Sequence, residues 1–214
     1  MPWFGHDPPD STDLLVHFTG RSGNYLGLST DITQMTPQER LESILACGVI
    51  WPSRPFLISP WPVVCFSEAT DQFLSYVLGS RNYGPWGVVF HRDLVYEHSG
   101  GPVVHYRLDQ WQETLQGMPN ALKSRFVRYT PGESEWLWER EWRVVFHPDE
   151  EGFEFEPNDV EAIIVGDPSW APVVPGIELD LDGDPYEAPV RPDWLPDSER
   201  WWWNRRRKRL EVLE

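Results

Sequence analysis

The sequence predicts an α+β fold, a mixed sheet of about six strands with helices flanking it. Three observations carry this expectation. Short apolar runs recur between residues 14 and 166, LLVHF, VVCFS, GVVF and VEAIIV among them, each the length of a buried strand. Two longer stretches between them have helical spacing with start and stop signals. The two kinds of element do not alternate strictly. No G-x-G-x-x-G or P-loop is present, which argues against a Rossmann or Walker-type nucleotide fold.

Composition sets the class. Of 214 residues, 40% are apolar and 24% charged, as in a globular domain. No run of eighteen apolar residues exists, so no spanning helix and no membrane partner is expected. The opening MPWFGHDPPDSTD lacks the basic and apolar regions of a signal peptide, so a cytoplasmic location is expected. Cys47 and Cys65 form no metal-site pattern with any histidine and read as buried small hydrophobes. The net charge is −16; residues 200–214 hold six basic and two acidic groups, so residues 1–199 alone stand at −20. A body this acidic is a poor general binder of nucleic acid. Its basic end is expected to fold back on the acidic surface or stand in solvent.

Taken in order, residues 1–13 form an N-terminal extension and the ordered domain spans 14–166. LLVHF (14–18) is a buried strand, and RSGNYLGLSTDITQM (21–35) a polar loop. TPQERLESILACG (36–48) is a helix with Thr36 as N-cap, Pro37 at the first position, Glu39 completing a capping box and Gly48 as the stop. VVCFS (63–67) is a strand, and Ser67 by default caps the helix EATDQFLSYVLG (68–79). NYGPWGVVFHRD (82–93) is a turn and a strand, and GGPVVHYRL (100–108) another strand. DQWQETLQ (109–116) and NALKSRFVR (120–128) are short helices, and VEAIIVG (160–166) is the last buried strand. Seven prolines and many acids make 167–199 an extended arm, and 200–214 is a basic tail.

The stretch EWLWEREWRVV (135–145) reads as a strand. Its two-residue period places Trp138, Arg140, Trp142, Val144 and Phe146 on one face and Glu139, Glu141, Arg143 and Val145 on the other. Glu139 and Glu141 then stand roughly 6.5 Å apart along the strand. They are either a solvated face with ion pairs to Arg140 or Arg143, or a carboxylate pair held rigidly for chemistry. Of the six histidines none forms H-x-x-x-H or H-E-x-x-H, so no metal site is expected. His17 differs from the others because it sits inside an apolar strand, where a polar side chain needs a partner.

The order LVHFTG, ILACGVI, VVCFSE, YGPWGVVF, GGPVVHYR and WEREWRVVF resembles the AbiGi-type abortive-infection proteins of bacterial phage defence, across roughly residues 14 to 166. HFT followed by a helix ending I-L-x-x-G is similar, over a shorter span, to the DarT-type ADP-ribosyltransferases. The resemblance implies an ADP-ribosyltransferase-like fold, a split mixed sheet whose cleft holds NAD as substrate. It implies that His17 and Thr19 contact the NAD ribose, that Ser67 supports the site, and that Glu141 or Glu139 hydrogen-bonds the nicotinamide ribose. Tyr83 and Phe73 are weaker candidates for stacking on nicotinamide. Arg21, Arg54 and Arg81 are candidates for the diphosphate.

The function implied is an ADP-ribosyltransferase or NAD glycohydrolase acting as a toxin in phage defence, on a nucleic-acid or protein acceptor. Such proteins work in gene pairs. The alternatives are therefore a non-catalytic, antitoxin-like module that binds the product of a neighbouring gene, or an enzyme of this fold acting on another nucleotide.

Overall fold

The computed structural model describes residues 12–20, 29–54, 61–79, 83–107, 113, 115–133, 135–179, 181, 183–190 and 198–213. Its centre is an eight-stranded mixed sheet. The strands are β1 (Leu14–Phe18), β3 (Val63–Glu68), β4 (Gly87–His91), β5 (Gly101–Pro102), β8 (Glu141–Val145), β10 (Val160–Val165), β13 (Glu199–Asn204) and β14 (Arg209–Leu213). Their order across the sheet is β14-β13-β10-β4-β1-β3-β8-β5. Only β10 and β13 run parallel; the other neighbours are antiparallel.

Both faces of the central strands are buried, and alternation sorts their side chains into two cores. Leu15, Val64, Phe66, Val88, Phe90, Ile163 and Val165 share one core with Leu41 and Leu45 of helix α2 (Pro37–Cys47). Val16, Phe18, Val89, Ala162 and Ile164 share the other with Phe73, Leu74, Val77 and Leu78 of helix α3 (Asp71–Gly79). Helix α2 has the predicted ends. Thr36 Oγ1 accepts from Glu39 N–H at 3.2 Å, and Glu39 Oε2 accepts from Thr36 N–H at 2.6 Å. Gly48 closes the helix with φ 65°, a conformation that a Cβ disfavours.

Several expectations are corrected. The sheet has eight strands, not about six. The two extra ones come from the segment expected as a basic tail: β13 pairs with β10 and β14 with β13. Trp203 explains why the segment is held, since its indole is 4% exposed in the α3-side core. Part of the expected arm is an antiparallel hairpin of β11 (Val174–Leu179) and β12 (Pro185–Val190). GGPVVHYRL divides between β5 and β6 (Val104–Arg107), and β6 pairs in parallel with β7 (Phe126–Tyr129) in a separate ribbon. Residues 120–128 are therefore helical only over Asn120–Lys123. The helix expected at 109–116 lies largely outside the described residues. Cys47 is exposed and Cys65 half-buried, since the first ends α2 off its apolar stripe and the second borders the cleft described next.

Candidate active site

The sheet parts between β1 and β3. Their register joins Leu15 to Glu68 and Val16 to Ser67 and goes no further. Beyond that point β1 stays with β4, ending at Phe18 opposite Gly87, and β3 stays with β8, starting at Val63 opposite Val145. The gap so made is a cavity of about 110 Å³, and His17, Ser67, Tyr83, Glu139 and Glu141 all line it. Five of the residues singled out in the sequence thus converge on one chamber.

His17 reaches across the parting. Its Nδ1 lies 2.9 Å from the carbonyl oxygen of Cys65 on β3. A carbonyl only accepts, so Nδ1 carries the proton and Nε2 keeps its lone pair. Burial lowers the imidazole pKa from 6.5 to about 4, and the Cys65 contact offsets only part of that. His17 is therefore neutral at pH 7, a hydrogen-bonding group with no charge to repel a cationic ligand.

The two glutamates reach the chamber by a route the strand reading missed. Glu139 ends a short 3-10 turn, Trp136–Glu139, and Arg140 follows with φ 43°. That left-handed residue breaks the two-residue period, and β8 starts only at Glu141. Trp138 therefore leaves the face of Trp142. Its ring packs 6.2 Å from Phe73 and 5.2 Å from Tyr76 on the α3 side, while Trp142 packs on the α2 side. Arg140 pairs with Glu68 at 3.2 Å.

Each carboxylate is fixed by a protein donor. Tyr83 O–H donates to Glu139 Oε1 at 2.6 Å, with Glu139 only 2% exposed. Arg143 grips Glu141 with two bonds, Nε to Oε1 at 2.8 Å and Nη2 to Oε2 at 3.1 Å, and donates through Nη1 to Ser124 O at 2.7 Å. Burial opposes the arginine charge, but Glu141 and then Cys65 outweigh it and push the guanidinium pKa above its ordinary value. The chamber thus holds one carboxylate–guanidinium pair, Glu141 with Arg143, beside the tyrosine-bound Glu139 and a neutral His17.

The other candidates stand elsewhere. Thr19 is buried beside a neighbouring cavity of about 80 Å³ between β1 and α2, lined also by Arg40 and Ser43. Its Oγ1 donates to Pro37 O at 2.7 Å, so its hydroxyl joins the strand to the helix. Phe73 fills the α3-side core against Trp138 and lines none of these cavities. Ser67 is not the cap of α3; Thr70 is, its Oγ1 accepting from Phe73 N–H at 3.2 Å. Arg21 and Arg81 lie outside the described residues.

Sequence reasoning missed two contributors. Gly20 and Gly84 touch backbone to backbone: a Cβ on Gly20 would lie 2.6 Å from Gly84 Cα, and Gly84 N–H donates to Gly20 O at 3.1 Å. This contact seats Tyr83, whose ring lies 5.1 Å from Phe18. Trp51 is the second. Its signal was the I-W-P tripeptide after β2 (Val49–Ile50), since a proline holds the residue before it extended.

No family model matches the chain, and neither a curated protein nor a solved structure matches it. Among the described residues no group of three or more His, Cys, Asp or Glu is placed to hold a metal ion. No described helix is long and apolar enough to cross a membrane.

Proposed function

We propose that the chain splits NAD at the bond between nicotinamide and ribose and passes ADP-ribose to an acceptor or to water, as an ADP-ribosyltransferase-like effector of phage defence. One observation carries the reading. The histidine, serine and glutamates singled out on the resemblance to AbiGi-type and DarT-type proteins line a single cavity where the sheet parts. In the proposed reaction the C1′–N bond breaks, its electron pair leaves with neutral nicotinamide, and the sugar becomes a cationic oxocarbenium centre. An acceptor oxygen or nitrogen, or water, then bonds to C1′ and loses a proton. A chamber holding a fixed negative charge beside that centre stabilises it, provided water is largely excluded.

Roles follow from position. Glu141, held at both oxygens, orients the ribose hydroxyls and faces the developing cation. Glu139 is the second carboxylate, able to take the acceptor's proton. Neutral His17 offers Nε2 to a ribose hydroxyl, and Ser67, opposite Glu141 in the strand register, supports that glutamate. Tyr83 and Arg143 position the carboxylates.

A second reading is a non-catalytic, antitoxin-like binding module. It is favoured by the Glu141–Arg143 pair, which engages both carboxylate oxygens in the way a structural ion pair does.

Incubation of the protein with NAD, with free nicotinamide as the readout, separates the two readings. The enzyme reading expects release by the wild-type protein and loss in Glu139→Gln and Glu141→Gln variants that retain the wild-type far-UV spectrum. No release, together with no heat of NAD binding, gives the second reading and turns the search to a partner protein.

A further inference from the structure

Trp51 lines three cavities at once. The first is the glutamate chamber, and the second is the cavity beside Arg40. The third is an open hollow of about 480 Å³ that also has Arg54, Pro62, Pro148, Glu150 and Glu151 on its walls. A tryptophan 46% exposed at such a junction keeps an indole face available to a flat ligand. No aromatic ring contact or hydrogen bond engages its side chain among the described residues.

The backbone beneath the indole is braced on both sides. Ile50 pairs with Phe153, a core residue, in the β2 ribbon. Two residues past Trp51, Ser53 exchanges hydrogen bonds with Val63 at the head of β3, at 3.0 and 2.8 Å. Pro52 between them has a fixed φ and disfavours a helical backbone at Trp51. A platform fixed in this way loses little freedom when a ligand stacks on it.

Charge in the hollow selects the ligand. Arg54 is exposed and forms no ion pair among the described residues. Its planar fork suits a phosphate. Glu150 and Glu151 are acceptors, which favour an exocyclic amine. Glu150 already accepts from His147 N–H at 2.5 Å, which fixes its place.

We infer that Trp51 and Arg54 form a base-and-phosphate subsite. The indole stacks an amino-bearing purine, and the guanidinium takes the phosphate attached to its ribose. The inference rests on the NAD reading only in assigning this subsite to the adenosine half of that substrate. Binding of a purine monophosphate alone tests it separately.

Calorimetric titration with AMP uses three probes besides: IMP, which lacks the amine, ribose 5-phosphate, which lacks the base, and adenosine, which lacks the phosphate. Wild-type protein is expected to bind AMP more tightly than all three. Trp51→Ala weakens AMP binding about tenfold or more, the usual effect of removing one stacking partner. Trp51→Phe keeps most of the affinity. Arg54→Gln weakens AMP binding but leaves adenosine unchanged.

Equal AMP affinity in wild type and Trp51→Ala overturns the subsite, as does no AMP binding to wild type. Nicotinamide release measured in parallel separates the two proposals. Release with a KM for NAD unmoved in Trp51→Ala overturns the assignment of the subsite to the adenosine half of NAD and keeps the NAD-splitting reading. AMP binding that depends on Trp51, with no release from wild type, keeps the subsite and removes that reading.

Discussion

Replacing Arg143 with methionine should lower stability by about 3–5 kcal/mol, the usual cost of breaking a buried ion pair from one side. The geometry supports the upper part of that range. Arg143 and Glu141 side chains are 9% and 6% exposed, and their two bonds measure 2.8 and 3.1 Å. Methionine fills much of the arginine's volume, so the loss is chiefly electrostatic. It leaves Glu141 without its bidentate partner and takes away the donor to Ser124 O. For a chain of this size each kcal/mol moves the melting temperature by about 2–4 °C, so a fall of about 6–20 °C is expected. Urea unfolding followed by tryptophan fluorescence gives the free energy, and thermal denaturation followed by circular dichroism gives the melting temperature. The double variant Glu141→Leu/Arg143→Met should recover most of the loss, because it leaves neither member of the pair buried without the other. A single variant melting within about 2 °C of wild type would sink the reasoning, as would a double variant less stable than the single one.

Other consequences can be checked in the same assays. Tyr83→Phe removes the O–H donor to Glu139 and should cost about 1–3 kcal/mol, the range for losing the partner of a buried polar group; urea unfolding measures it. Gly20→Ala should cost several kcal/mol, because its Cβ meets Gly84 Cα at 2.6 Å, whereas Gly84→Ala meets Gly20 Cα at a milder 3.2 Å; unequal midpoint shifts in urea are the check. For His17 the sign follows from a folded pKa of about 4 against 6.5 for the free side chain. Between those values the unfolded chain takes up the proton and the folded one does not, so stability falls as pH drops from 6.5 to 4. The slope is up to about 1.4 kcal/mol per pH unit. His17→Phe should flatten that part of a stability-versus-pH curve, and an unaltered curve would remove His17 as its source.

Legibility in the sequence followed how local each signal is. Helix α2 was readable to the residue because its capping box, its proline and Gly48 are all local. The strands LLVHF and VVCFS were readable because both faces are buried and apolar. The convergence of His17, Ser67 and Glu141 was not derivable from spacing, since it depends on where β1 and β3 part company. The tryptophan strand was misread at one residue. An arginine carries no sign in its letter of a left-handed backbone, yet Arg140 sends Trp138 to the opposite core. The C-terminal strands were hidden by composition. Arg205, Arg206, Arg207, Lys208 and Arg209 dominate that segment and read as a tail, but the first four form an exposed turn and the tryptophans before them do the packing.

The β13–β14 hairpin also acts as a cover. Without it, β10 would present Ala162, Ile163, Ile164 and Val165, an uncharged and strongly β-forming row, along an open sheet edge. Such an edge is a template for other chains. A truncation before Glu199, the obvious way to ask what the basic segment does, would therefore report on self-association before it reported on charge. The role of the cations is better asked by replacing Arg205, Arg206 and Lys208 with glutamine and leaving the strands in place. The segment that looked most dispensable is then a guard on solubility, with its charges arranged at the tip of the element that seals the sheet.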